Sequence, residues 1–249
     1  MLELTGRSIA EQIAIGHLRF YRREPPVLDP CSQRSPQEEL ERFHQGQRQS
    51  VLQLAALYDR AFAEVGEETA SIFAIHAMLL EDEDFVRTIT DMIQREGATA
   101  EYAVKAAGDA LAAAFGAMDS PYMRARSADV RDISRRTIRA LLRRRPKSPL
   151  TRQGTILVCE EFFPSEVMEL DRRWLVGLAA MRGNVDSHTA HLLRAYHIPG
   201  MMSPDLEWEG RIGLMDGFDN KLYVDPDREL MEKLRLRYQE RGCPVSCGI

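Results

Sequence analysis

A histidine directly behind a helix-capping pair is the residue in this sequence best placed to do chemistry. Asp186-Ser187-His188-Thr189 follows a glycine-containing turn, Gly183-Asn184, and opens a helix that must end before Pro199. With Asp186 or Ser187 as the cap, His188 falls at the second or third position. Backbone N–H groups there lack intrahelical partners, and the helix end carries partial positive charge. That setting disfavours a protonated imidazole and welcomes an anion. A neutral imidazole is the nucleophile that phosphoryl transfer needs, and a phosphohistidine would be the anion stabilised. Taken alone, a histidine near a helix start is more often structural. A metal reading competes, because His188 and His191 share a helix face and His197 and Asp186 could be added as ligands. No carboxylate or cysteine elsewhere has matching spacing, and His197 lies well along the axis, so no metal site is expected. Cys243 and Cys247, without a second pair, make no metal motif either.

The elements that must position His188 follow from periodicity and punctuation. Ile9, Ile13, Ile15 and Leu18, with Phe20 and Tyr21 after them, suggest one or two short strands. A polar linker with Pro25, Pro26 and Pro30 follows. Ser35-Pro36-Gln37-Glu38 combines a capping serine, a proline at the first helical position and a glutamate that closes a capping box. Apolar residues at helical spacing run from there to Val65, from Glu68 to Ile93 with Gly97 as stop, from Thr99 to Met118 through an alanine-rich stretch, and from Ser120 to Leu142 before Pro146. Four helices with short loops imply an antiparallel bundle. After Pro149 strands and helices alternate: Thr155–Cys159, a short helix at Pro164, Leu175–Ala179, the His188 helix, then 211–216 and 221–224 around Gly217, and a polar helix from Asp227 to Gln239. The expected organisation is an α/β domain over 1–24 plus 147–240, a helical domain over 33–145 inserted into it, and a tail over 241–249.

Composition narrows the function classes. The 249 residues are 44% hydrophobic and 29% charged, with a formal net charge of -5. That charge argues against whole-chain affinity for nucleic acid or anionic membrane. The basic run Arg135, Arg136, Arg139, Arg143, Arg144, Arg145 and Lys147 is spread over several helix faces without interleaved aromatics, which fits a solvated helix end. No apolar run approaches the roughly 20 residues of a membrane span. The N-terminus lacks the pattern of a signal peptide, and four cysteines form no disulfide framework, so a cytoplasmic protein is expected.

Three stretches together resemble a known family. They are Gly183-Asn184-Val185-Asp186-Ser187-His188-Thr189 continuing to Arg194 and Pro199, Ile72 to Glu83, and Tyr122 to Ile133. They resemble the N-terminal half of enzyme I, the phosphoenolpyruvate-protein phosphotransferase of the bacterial sugar phosphotransferase system, and the likeness covers nearly the whole chain. The resemblance implies an α+β or α/β fold: a swivelling phosphohistidine α/β domain with an inserted four-helix-bundle domain that binds the phosphocarrier protein HPr. It also implies phosphoryl acceptance on His188, assisted by Ser187, Thr189 and Arg194, and exchange with a histidine of HPr. The phosphoenolpyruvate site would lie in a C-terminal barrel with magnesium, absent from a chain ending at Ile249 and supplied by a further domain or separate chain. No cofactor is expected within these residues.

The docking face has a physical basis as well. His76, Met78 and Leu79, with Glu67, Glu68 and Glu83 nearby, make an apolar centre edged by acid, suited to a small carrier with a basic rim. Arg126 matches a family position on a neighbouring helix. From the residues alone, the better reading is that Met78 and Leu79 face the bundle core and Glu81-Asp82-Glu83-Asp84 is a solvated run; the resemblance assigns them to docking.

Departures from the family pattern gather at the histidine. Asn184, Val185 and Asp186 stand where the family has glycine, arginine and threonine. Phe163 replaces a threonine before Pro-Ser-Glu, and Ala10-Glu11-Gln12-Ile13-Ala14 replaces Ser-Pro-Gly-Ile-Ala. Losing an arginine and gaining a carboxylate each weaken anion binding by on the order of 1 kcal/mol. Two functions follow: a phosphoryl-transfer protein acting through His188, or a divergent enzyme I-like protein that binds HPr or another carrier without turnover.

Overall fold

The computed structural model describes residues 1–144, 148–203, 209–239 and 245–248. These divide into two compact units. One comprises Met1–Arg23, Ser148–Phe162 and Glu166–Ile249; the other comprises Glu24–Lys147 and Phe163–Ser165.

The first unit is built on one mixed sheet. Its strands are β1 (Leu2–Thr5), β2 (Arg7–Ser8), β3 (Ile13–Tyr21), β4 (Thr155–Cys159), β5 (Leu175–Ala180), β6 (Gly200–Met202), β7 (Ile212–Asp216), β8 (Lys221–Val224) and β9 (Val245–Cys247). The order is β1-β8-β7-β3-β4-β5-β6-β2, with β9 beside β3. Strands β3 to β6 run parallel, while β7, β8, β1 and β2 pair antiparallel. Alternation along the strands divides the core. Ile13, Ile15, Leu214 and Tyr223 face Leu234 and Tyr238 of α8 (Arg228–Gln239), whereas Ala14, Leu18, Met215, Leu222 and Val224 line the other face with Ile156, Val158 and Met201. This is the period-2 pattern of strands buried on both faces. Two further helices belong here: α6 (Pro164–Glu169), which begins in the segment grouped with the other unit, and α7 (His188–Ala195).

Within the stretch 241–249, expected as a tail, Val245–Cys247 joins the sheet. Val245–Cys247 pairs in parallel with Ile13–Ile15, and Gly248 N–H donates to the Ile15 carbonyl at 2.9 Å. Strand β4 reaches β3 only from His17 onward, so the first part of β3 has an open edge that β9 fills. Three residues are too few to show a strand period. The short β6 escaped the sequence for the same reason. Cys243, part of the cysteine pair considered above, lies outside the described residues.

The second unit contains five helices among the described residues: α1 (Pro36–Val65), α2 (Glu67–Leu80), α3 (Glu83–Glu96), α4 (Ala100–Gly116) and α5 (Pro121–Leu141). The continuous helix expected over 68–93 is therefore two. Asp82 breaks it by capping α3, its side chain accepting from the N–H groups of Asp84 and Phe85. The other starts follow their caps: the Ser35–Glu38 capping box is formed, and Thr99 and Ser120 cap α4 and α5. The alanine-rich α4 lies close against α5: a Cβ added at Gly108 would stand 2.2 Å from Ser134 Oγ. Glu39, fully buried in α1, accepts from Ser32 Oγ at 2.7 Å and from Ala100 N–H at 3.0 Å, which caps α4 a second time. Arg34 and Arg42 pair with the same carboxylate, and Arg42 also reaches Glu101.

The basic run is not wholly solvated. Arg136 is only 3% exposed, and its Nη1 donates to Gln53 Oε1 at 2.8 Å, because this side of α5 faces α1. Arg135 lies over the Phe163 ring at 4.9 Å. Arg145, Lys147 and the helix-stopping Pro146 lie outside the described residues.

Candidate functional site

In the α/β unit, His188 is the first residue of α7, not the second or third as expected. The cap is Ser187, in extended conformation, whose hydroxyl accepts from Ala190 N–H at 3.2 Å. His188 is half-buried, and Asp186 before the cap is exposed. The turn leading in is organised by Gly183, at φ +138°, and Asn184. The Asn184 side chain accepts from Asp186 N–H at 3.1 Å, and its carbonyl accepts from Ser187 N–H at 3.1 Å. An asparagine bonding its own backbone two residues on stabilises such a turn.

Thr189 and Arg194 brace this helix. Thr189 Oγ1 donates to the Phe162 carbonyl at 2.9 Å, fastening the first turn to the loop after β4. Arg194 Nη2 donates to the Val185 carbonyl at 2.7 Å, and Nε to the Ile9 carbonyl at 2.9 Å. One guanidinium thus joins the helix, the turn before His188 and the N-terminal segment. That segment is fixed further by Ile9 N–H donating to the Gly200 carbonyl at 2.8 Å. The arrangement holds an imidazole at the positive end of a helix dipole, where an anion on the ring is stabilised.

Also in the α/β unit, the Arg23 guanidinium reaches both oxygens of Glu166 and the Glu161 carbonyl. Burial pushes the neighbouring Cys159 thiol up to about 12, so it stays protonated and unreactive.

The expected docking residues lie in the helical unit, and they differ sharply in exposure. Met78 is 72% exposed, Glu67, Glu68 and Glu83 are exposed, and Leu79 is half-buried. His76 is completely buried. Its Nε2 lies 3.2 Å from Asp129 Oδ1 and its Nδ1 lies 3.7 Å from Asp132 Oδ2, both without hydrogen-bond alignment. Position 76 follows Ile72 and Phe73 on the buried face of α2, and the ring meets Phe73 edge-on at 6.2 Å. Arg126 is half-buried; Nη1 donates to Asp129 Oδ2 at 3.2 Å, Nη2 donates to the Tyr122 hydroxyl, and the guanidinium covers the Tyr122 ring at 4.7 Å.

Sequence reasoning missed Asp129, Asp132 and Ser165 as partners in this site. Asp132 accepts from both the N–H and the hydroxyl of Ser165. A signal existed: two aspartates three residues apart on α5 each precede a buried apolar residue, Val130 and Ile133, at positions an amphipathic helix buries. Buried carboxylates need partners, and a buried histidine one helix away is a natural one.

Comparison with known proteins gives these residues a context. Residues 5–126 match the family described as PEP-utilising enzyme, N-terminal, and residues 151–205 match PEP-utilising enzyme, mobile domain. The second match contains His188. A phosphoenolpyruvate-protein phosphotransferase from Bacillus sp. (strain S) is 30% identical over 247 residues, covering 95% of this chain and 43% of the relative. One from Bacillus subtilis (strain 168) is 27% identical, covering 97% and 42%. The chain therefore spans less than half the length of these relatives. Among solved structures, the NMR solution structure of an enzyme I (nEIt) has a TM-score of 0.71 at 24% identity, covering 96% of this chain and 99% of that one. The N-terminal domain of a nitrogen-type enzyme I has a TM-score of 0.59 at 25% identity, covering 95% and 99%.

Proposed function

Because this chain belongs to the phosphoenolpyruvate-protein phosphotransferase family, as a counterpart of the N-terminal half of enzyme I, we propose that it accepts a phosphoryl group on His188 and exchanges it with the carrier HPr. The observation that carries this reading is His188 at the first position of a Ser187-capped helix inside the matched mobile domain. In the exchange, a ring nitrogen of His188 attacks the phosphorus of the carrier's phosphohistidine. One P–N bond forms as the other breaks, and the carrier's imidazole leaves with the electron pair. The helix N-terminus stabilises the phosphoryl oxygens. Ser187 keeps the helix start in place, while Thr189 and Arg194 act by holding the helix and the preceding turn.

The docking surface for the carrier takes in the exposed Met78 near the end of α2, the exposed Glu83 that opens α3, Glu67 and Glu68 at the start of α2, and Arg126 on α5. An exposed apolar residue together with exposed acidic residues favours a partner with a basic rim. Phosphoenolpyruvate itself and magnesium belong to a further domain or chain, and sugar uptake is the downstream pathway. The family reading places the reaction in the cytoplasm. As a separate fact, no described helix is long and apolar enough to cross a membrane.

Incubation with HPr phosphorylated on its histidine tests the reading. Acid-labile phosphate is expected on this chain and is lost in His188→Ala. Label that persists in His188→Ala would overturn the site. Binding of HPr without any label would instead make the chain a carrier-binding protein without turnover.

A further inference from the structure

A continuous line of polar groups crosses the helical unit. It starts at the exposed Tyr122 and at Arg126, passes Asp129, enters the buried imidazole of His76, continues through Asp132 and ends at Ser165. Asp129 and Asp132 are each only 2% exposed and lie one turn apart on α5; His76 comes from α2 and stands between them. We propose that His76 is a positioning residue, coupling the state of Arg126 at the docking face to the Ser165 segment through these two aspartates.

The two ends of the line are held differently from its middle. At one end Arg126 Nη1 donates to Asp129 Oδ2 at 3.2 Å. At the other, Ser165 N–H donates to Asp132 Oδ2 at 3.0 Å, and the Ser165 hydroxyl donates to Oδ1. The middle contacts, at 3.2 and 3.7 Å, are held by proximity of charge and dipole rather than by aligned hydrogen bonds. A directional bond resists small rotations; an unaligned contact lets the ring shift toward whichever carboxylate is less satisfied. An anionic group arriving at Arg126 competes with Asp129 for the guanidinium. Asp129, having given up that one bond, then draws the His76 ring, and Asp132 changes its hold on Ser165. Ser165 is the last residue of the 163–165 segment, after which the chain continues into Glu166 of the α/β unit.

The identity of the arriving anion rests on the carrier-docking reading, but the coupling itself does not. In the full chain, isotopically labelled, Arg126→Gln is expected to displace the Ser165 amide resonance well beyond what Arg95→Gln, on the exposed face of α3, produces. With His76 replaced by Asn, the displacement caused by Arg126→Gln at Ser165 is expected to vanish. A merely structural His76 would lower stability yet leave that displacement in place, and this result overturns the proposal. So does a Ser165 amide that ignores Arg126→Gln altogether. Should the His76 variants fail to fold, Arg126→Lys decides. It keeps the charge, and a displacement as large as that from Arg126→Gln overturns the coupling. Titration with purified HPr should move the same amide. Absence of HPr binding sinks the docking reading alone, since the Arg126 variants still decide the coupling.

Discussion

Around His188 the family's arginine is replaced by Val185, whose carbonyl is held by Arg194 while its side chain contributes no charge. Val185→Arg should therefore raise phosphoryl occupancy of His188. A charge-assisted hydrogen bond worth about 1 kcal/mol corresponds to roughly fivefold in the exchange equilibrium. Equilibrium labelling from phospho-HPr measures this, and unchanged occupancy would mean that the side chain at 185 does not reach the phosphoryl group. Arg194 is not equivalent to that missing arginine. Two of its donors are already committed to the Ile9 and Val185 carbonyls, which suits a brace better than a phosphate ligand. His188 was legible from its cap and turn, since both lie within six residues of it. The brace was not, because Ile9 is remote in sequence and a carbonyl acceptor has no residue signature.

At the scale of elements, the helical unit depends on one carboxylate that ties three segments together. Burial alone would raise the Glu39 carboxyl. Hydrogen bonds from Ser32 and the Ala100 N–H, with the charge of Arg42, outweigh burial and hold it below the usual glutamate range. A carboxyl that binds its proton less readily when folded stabilises the fold above its unfolded value, near pH 4.3, and that contribution disappears as pH falls through the folded value. Denaturant unfolding of the helical unit should thus weaken as pH drops below about 4, and the slope should flatten in Glu39→Gln. At pH 7 that substitution should cost about 2 kcal/mol, because Ala100 N–H and Ser32 lose a charged acceptor. A stability unchanged in Glu39→Gln would show the network to be incidental. Helix boundaries here were largely readable, since caps such as Ser35, Thr99 and Ser120 act within one turn. The break at Asp82 was readable in principle, but apolar spacing continues across it and conceals the new cap.

At the scale of the molecule, the chain makes two cores from one sequence. The helical unit interrupts the α/β unit between Arg23 and Ser148. Differential scanning calorimetry should resolve two transitions, of which Glu39→Gln lowers only one. Leu214→Ala, at a fully buried position in the sheet core, should lower the other by about 3 kcal/mol. A single transition moved equally by both would show that the units unfold together. The sequence by itself determined the helix starts at Ser35, Thr99 and Ser120, the periods of the longer strands, the placing of His188 behind a helix cap and membership in the family, because each depends on residues close together along the chain or on motifs read in order. Only the tertiary structure decided that His76 is buried between Asp129 and Asp132, that Arg136 turns inward, that Arg194 braces rather than faces the site, and that Val245–Cys247 completes the edge of β3. Each of these depends on segments tens to hundreds of residues apart arriving at the same place. Burial and hydrogen-bond partners are properties of that arrival, not of any local pattern.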